Sequence, residues 1–158
     1  MTTFTRRATP VAILLALTML ALNAKAKYIC LTTMHHEGFR LYESKLSDFN
    51  SVSYCGRNLV AEMVESARAH GLRISLYHSL NNWYDKPDLA DALESKENYE
   101  ACMRATHARI KELIELFPDI DCLWYDGWWP FDANGWKAEE MNAMVRAINP
   151  NIIFNGRN

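Results

Sequence analysis

One feature restricts this chain more than any other: from Lys27 onward, short apolar and β-branched runs take turns with segments of helical period. Tyr28–Thr33 (YICLTT), Arg73–Ser79 (RISLYHS), Asp121–Asp126 (DCLWYD) and Asn151–Asn155 (NIIFN) have strand character. Between them, Leu59, Val60, Met63, Val64 and Ala67 recur at helical spacing behind Asn58, a residue suited to capping a helix start, and the pattern stops at Gly71. Tyr99, Met103, Thr106, Ile110, Leu113, Ile114 and Phe117 repeat it between Ser95 and Pro118, and Trp136, Met141, Met144, Val145 and Ile148 repeat it up to Pro150. Strands separated by helices cannot close as hairpins, so the crossovers make them parallel. The expectation is an α/β fold with helices packed on a parallel sheet.

Alternation within the strands narrows this further, because successive side chains point to opposite faces. Ile74, Leu76, Leu123, Tyr125, Ile152 and Phe154 share one face, which is apolar and suited to lie under helices. The other face carries Ser75, Tyr77, Ser79, then Cys122, Trp124, Asp126, then Ile153, Asn155 and Arg157, and becomes polar toward the strand C-termini. A doubly wound sheet would be apolar on both faces, whereas a barrel interior opening into a site would have this polarity. No G-x-G-x-x-G or G-x-x-x-x-G-K-[ST] run offers a cradle for nucleotide phosphate. The reading is a partial (β/α)8 TIM-like barrel of about four βα units over residues 27–158. A complete barrel takes about 250 residues, so the chain of 158 residues reads as a fragment.

Residues 1–26 stand apart. Arg6 and Arg7 precede the apolar run Pro10–Leu22, and Ala24-Lys25-Ala26 follows with small residues, the order of a secretory signal peptide; the alternative is an N-terminal helix packed in the domain. The run falls short of the about 20 residues needed to span a bilayer, so no membrane anchor is expected, and a secreted or periplasmic location is. Cys30, Cys55, Cys102 and Cys122 are widely spaced, without a C-x-x-C pair, and Cys30 and Cys122 fall in apolar strands where free buried thiols are the expectation. Seventeen Lys plus Arg against 19 Asp plus Glu leave a net charge of -2, which argues against a nucleic-acid partner.

Polar clusters close three of the strands: His35-His36-Glu37-Gly38-Phe39, Tyr77-His78-Ser79 and Trp124-Tyr125-Asp126-Gly127-Trp128-Trp129, while the fourth ends at Asn155-Gly156-Arg157. Here the chain resembles the retaining α-L-fucosidases of glycoside hydrolase family 29. KYICLTTMHHEGF is close to that family's K-Y-x-x-L-T-x-K-H-H-D/E-G-F, and SKLSDFNSV to its S-K-Y-S-D-Y-N-S. GLRISLYHSLNNWY is similar to G-L-x-x-G-x-Y-Y-S-x-x-x-W, LWYDGWW to L-W-F-D-G, and NPNIIFNGR to N-P-x-x-x-x-N-x-R. The five blocks stand in order between Lys27 and Arg157.

The resemblance implies that Asp126 is the catalytic nucleophile, that His35, His36, Tyr77 and Arg157 bind the sugar, and that neither cofactor nor metal takes part. It also implies a fucosylated glycan as partner, with terminal α-L-fucosyl linkages hydrolysed by double displacement. Met34 stands where the family usually has Lys, His78 where it has a second Tyr, and Asn58 where an Arg-Asp pair is usual. The family's general acid/base lies downstream of the Arg157 strand, so it is not expected in this chain, and a retaining mechanism needs two carboxyl groups about 5 Å apart. A non-catalytic, sugar-binding remnant is therefore the alternative.

As bare residues these positions have plainer readings. An Asp before Gly at a strand end is often a turn or helix-cap residue. Adjacent His35 and His36 would point to opposite faces of a regular strand, one toward a core and one toward solvent, and a metal site lacks ligand spacing. Glu37 is a poor substitute for the missing acid. Trp83, Trp128, Trp129 and Trp136 either line the leaving-group side or pack helices on strands, and Trp136, which opens a helical period, suits packing.

Overall fold

The computed structural model describes residues 9–157. The elements run α1 (Thr9–Asn23), β1 (Tyr28–Met34), α2 (Ser51–Cys55), α3 (Leu59–Ala69), β2 (Arg73–Ser79), α4 (Leu89–Glu94), α5 (Lys96–Leu116), β3 (Cys122–Asp126), α6 (Ala138–Ile148) and β4 (Ile153–Phe154). Helix starts are capped by side chains: Asn58, the expected cap, accepts from Ala61 N–H, and Ser95 accepts from Asn98 N–H, satisfying donors that a first turn leaves open. After α3 the chain turns at Gly71, whose φ of +72° suits a residue without Cβ, and enters β2.

All four strands are parallel and lie in the order β1-β2-β3-β4. That order is sequential, without the reversal that marks a doubly wound sheet. Register pairs Leu31 with Leu76, Leu76 with Leu123, and Leu123 with Phe154, so the helix-facing residues form a continuous row. A slip between Thr32 and Met34 brings Met34 opposite His78. Ile74, Leu76, Leu123 and Tyr125 are buried against Val60, Val64 and Ala67 of α3, Met103, Ile110 and Leu113 of α5, and Met141 and Val145 of α6. Each such side chain contributes about 1.5–3 kcal/mol by leaving water, so this face holds the fold together.

The opposite face is open. Cys30, Thr32, Trp124 and Ile153 are exposed on it, as strand alternation requires. This corrects one expectation: Cys30 and Cys122 are free thiols but not buried, because they point to the open side rather than under the helices, and of the four cysteines only Cys102 is buried. Buried Arg109 of α5 donates to Leu80 O (3.0 Å), and fully buried Arg40 pairs with Asp85 (2.7 Å), so two arginines pin the loops after β1 and β2.

Within residues 1–26, α1 packs on α3. Thr18 is fully buried, its Oγ1 2.9 Å from Ser66 Oγ, and a turn at Ala24–Ala26 feeds directly into β1. Leu15, Leu17, Met19 and Leu20 of the same helix are exposed, and no helix among the described residues is long and apolar enough to cross a membrane.

Candidate active site

Asp126 is the last residue of β3, and its carboxylate is held from three sides. Tyr77 Oη, from the neighbouring strand, donates to Oδ2 at 2.9 Å, and Arg157 Nη1 donates to Oδ1 at 2.9 Å. The backbone N–H of Gly127 also bonds to it. Burial alone would raise the Asp126 pKa, but the Gly127 N–H, the Tyr77 hydroxyl and the Arg157 guanidinium outweigh it and hold the carboxyl below its usual range. The group is therefore ionised at neutral pH while 21% of its side chain stays open to solvent. Tyr77 responds in the opposite sense: burial and the Asp126 charge push its hydroxyl above the ordinary range, which keeps it a donor.

β1 ends before the histidine pair, and this lets both rings reach the same place. A turn closed by Gly38 N–H on His35 O (3.0 Å) follows Met34, and the two ring centroids lie 3.9 Å apart. Opposite faces of a strand therefore do not apply. His35 is exposed and stacks on Tyr77 at 5.8 Å with an interplanar angle of 5°. His36 is buried, so the core-and-solvent division holds for exposure while the rings remain neighbours. Burial, then the neighbouring His35, lowers the His36 pKa. Glu37 extends outward, its carboxylate 3.5 Å from His35 Nδ1.

Two close approaches compact the site. Gly127 has φ +67°, and a Cβ there would sit 2.8 Å from both His36 Cε1 and Ser79 Oγ, so only glycine brings the end of β3 this near. Trp83 N–H donates to His36 O (2.8 Å), and the rings of Trp83 and Trp129 flank the imidazole at 5.3 and 5.1 Å. Trp83, Trp128 and Trp129 are exposed around this rim. Trp136 is fully buried and donates to Trp128 O, anchoring the loop that carries the other two.

Tyr77, Asp126 and Arg157 thus converge in direct contact, and His35 and His36 meet them through the Tyr77 stack and the Gly127 approach. Met34 and His78 are buried and Asn58 caps α3, so none of these three makes a hydrogen bond to Asp126, Tyr77 or Arg157 among the described contacts. Three contributors stood on the Asp126 face in the sequence reading without being given a role. Trp124, 42% exposed, shares the open face with Asp126, and strand parity signalled it. Ser79 sits 2.6 Å from His36 Nδ1, a contact across 43 positions that no spacing announces. Asn155 bonds through its amide to both N–H and C=O of Tyr125, each at 2.8 Å.

The sequence model of the alpha-L-fucosidase family matches residues 16–158. The chain belongs to the α-L-fucosidase family. It is 33% identical over 139 residues to an alpha-L-fucosidase of Dictyostelium discoideum, covering 84% of this chain and 30% of that one. Against human tissue alpha-L-fucosidase the identity is 32% over 140 residues, with 85% and 30% covered. Among solved structures, a glycoside hydrolase family 29 alpha-L-fucosidase of Bacteroides thetaiotaomicron superposes with a TM-score of 0.81 at 27% identity, over 90% of this chain and 33% of that chain. A structure of such a Bacteroides enzyme, trapped as a covalent intermediate with 2-fluoro-fucosyl fluoride, superposes with a TM-score of 0.82 at 25% identity over 90% and 34%. The chain spans about a third of the length of these fucosidases.

Proposed function

We propose that this chain carries the nucleophile half of a retaining α-L-fucosidase site on four sequential strands of a (β/α)8 barrel, and that it acts on terminal α-L-fucosyl groups of glycans. The observation that carries the reading is the Asp126 carboxylate, ionised and held by Tyr77, Arg157 and Gly127 at the C-terminal end of a parallel strand. A carboxylate so placed can attack an anomeric carbon and stabilise the positive charge that develops there. Bonded to Tyr77 and Arg157 in the resting site, Asp126 has the orientation of each oxygen set before a sugar arrives. His35, His36 and Arg157 supply polar groups for hydroxyls, and Trp124 offers an apolar ring on the open face. The general acid/base would come from a segment beyond this one, consistent with about a third of the relatives' length being present. For residues 1–26, the burial of Thr18 and a family match beginning at residue 16 support the packed helix over a cleaved leader.

The nucleophile can be tested without its acid partner, because fluoride leaves without protonation. 2-Fluoro-fucosyl fluoride should esterify Asp126: an oxygen of the carboxylate bonds to C1 as the C1–F bond breaks and fluoride departs. Intact-mass measurement should show one adduct, located by peptide mapping on Asp126 and missing from Asp126→Asn. No adduct, with L-fucose still bound in a calorimeter, would establish the non-catalytic sugar-binding alternative.

A further inference from the structure

Ser79 Oγ stands between two groups that make different demands on it. It lies 2.7 Å from the carbonyl oxygen of Asn81 and 2.6 Å from His36 Nδ1. A carbonyl oxygen only accepts, so the single hydroxyl proton goes to Asn81. Ser79 then has only lone pairs left for the imidazole, and His36 Nδ1 must bring the hydrogen. With the ring neutral, as burial and His35 favour, the second nitrogen is a bare lone pair. Nε2 has no protein partner among the described residues and is not enclosed. The Gly127 approach, with its Cα in the space beside Cε1 and Ser79 Oγ, leaves the ring little room to turn over.

The same relay occurs on the other side of the sheet. His78 Nδ1 lies 3.0 Å from Thr33 Oγ1, whose proton goes to the carbonyl of Tyr77 at 2.8 Å. There Nε2 is buried without a partner, while at His36 it is not among the enclosed, unpartnered atoms of the described residues. The same hydroxyl and carbonyl pairing thus holds one histidine between two strands and another where the loops after β1 and β2 meet.

We propose that Ser79 is a positioning residue that fixes His36 as the Nδ1–H tautomer, so that Nε2 accepts a hydrogen bond and the site selects a ligand hydroxyl that acts as a donor. The tautomer assignment stands on the protein alone; its use on a sugar rests on the fucosidase reading. An acceptor at this position discriminates between a hydroxyl and a fluorine, since fluorine cannot donate.

Long-range proton–nitrogen correlation spectra of the 15N-labelled full chain near pH 7.5 test the tautomer directly. His36 is expected to show hydrogen on Nδ1 and none on Nε2; hydrogen on Nε2 overturns the proposal. Ser79→Ala should shift His36 toward the Nε2–H form, and Ser79→Thr, which keeps the hydroxyl, should not. A Ser79→Ala spectrum identical to that of the unaltered chain removes Ser79 from the role, and if that variant does not fold, the unaltered chain's spectrum still decides the tautomer. Calorimetric titration with L-fucose and its monofluoro and monodeoxy analogues reads the consequence. At one ring position fluorine and hydrogen should each weaken binding by about tenfold, and Ser79→Ala should recover part of the fluorine loss alone. Equal binding of L-fucose and every fluoro analogue overturns the donor assignment. An Nδ1–H spectrum with no L-fucose binding would count against the fucosidase reading and leave the tautomer standing.

Discussion

Two aspartates bracket β3, and they do opposite things. Asp121, immediately before the strand, is satisfied by main chain: its Oδ2 accepts from Ile74 N–H at 2.9 Å, its own N–H donates to Ile74 O at 2.9 Å, and its carbonyl accepts from Ile153 N–H at 3.0 Å. It ties β2, β3 and β4 together at their N-terminal ends. Asp126, at the other end, takes one main-chain N–H from Gly127 and is otherwise gripped by the tips of Tyr77 and Arg157. Side-chain donors can exchange partners when a ligand arrives, whereas a strand N–H cannot without breaking the sheet. One residue type therefore serves stability at one end of a strand and, in the function proposed above, chemistry at the other.

The largest effect that could break this contrast is on reaction. Asp126→Ala should lower the rate of 2-fluoro-fucosyl fluoride labelling by several orders of magnitude while leaving the thermal midpoint nearly unchanged. A variant labelled at the original rate would place the nucleophile elsewhere. Gly127→Ala comes next. Positive φ costs about 1–2 kcal/mol for a residue with Cβ, and the added methyl also meets His36 and Ser79, so denaturant unfolding should show a loss of about 2–3 kcal/mol together with weaker L-fucose binding. Asp121→Ala should do the reverse of Asp126→Ala. It removes one part-exposed hydrogen bond to Ile74 N–H, so about 1 kcal/mol of stability should go while sugar binding stays. The smallest effect is on pH dependence. His36 has a folded pKa below that of the unfolded chain, so the unfolded state takes up the proton more readily. Stability should be full above about pH 6.5 and decline as pH falls toward the lowered value, and His36→Gln should flatten that part of the melting-point profile. A profile with no such difference would mean that His36 titrates alike in both states.

Much of the architecture was legible because it rests on period. β2 has the limits that its alternation implies, and α3 and α5 begin at the caps Asn58 and Ser95. β4 is shorter than its apolar run, Ile153–Phe154 rather than Asn151–Asn155, because only two residues pair with β3. α2 and α4 went unread: five and six residues are too few to display a helical period, although Asp88 and Asp91 do form a capping box at the start of α4. At the site, strand parity sufficed for Tyr77, Asp126 and Arg157. It failed for His35 and His36 because the chain has already left the strand there, and although it put Ser79 on the site's face it gave no hint of the contact with His36, because a hydroxyl relay depends on where a loop carbonyl falls.

The amide of Asn155 has a consequence for Arg157. β4 stops pairing at Phe154, yet the Asn155 side chain then copies a peptide group, its Nδ2 donating to Tyr125 O and its Oδ1 accepting from Tyr125 N–H. This side-chain rung carries the strand direction one step further without main-chain pairing. Arg157, two residues on, therefore meets Asp126 as a short-tethered group, with the high local concentration that a two-residue leash confers. An exposed guanidinium on a free tail would spend most of its time in water. Here the leash makes encounter with Asp126 the frequent event, so that charge pairing at the strand end depends on an uncharged residue which never touches the carboxylate.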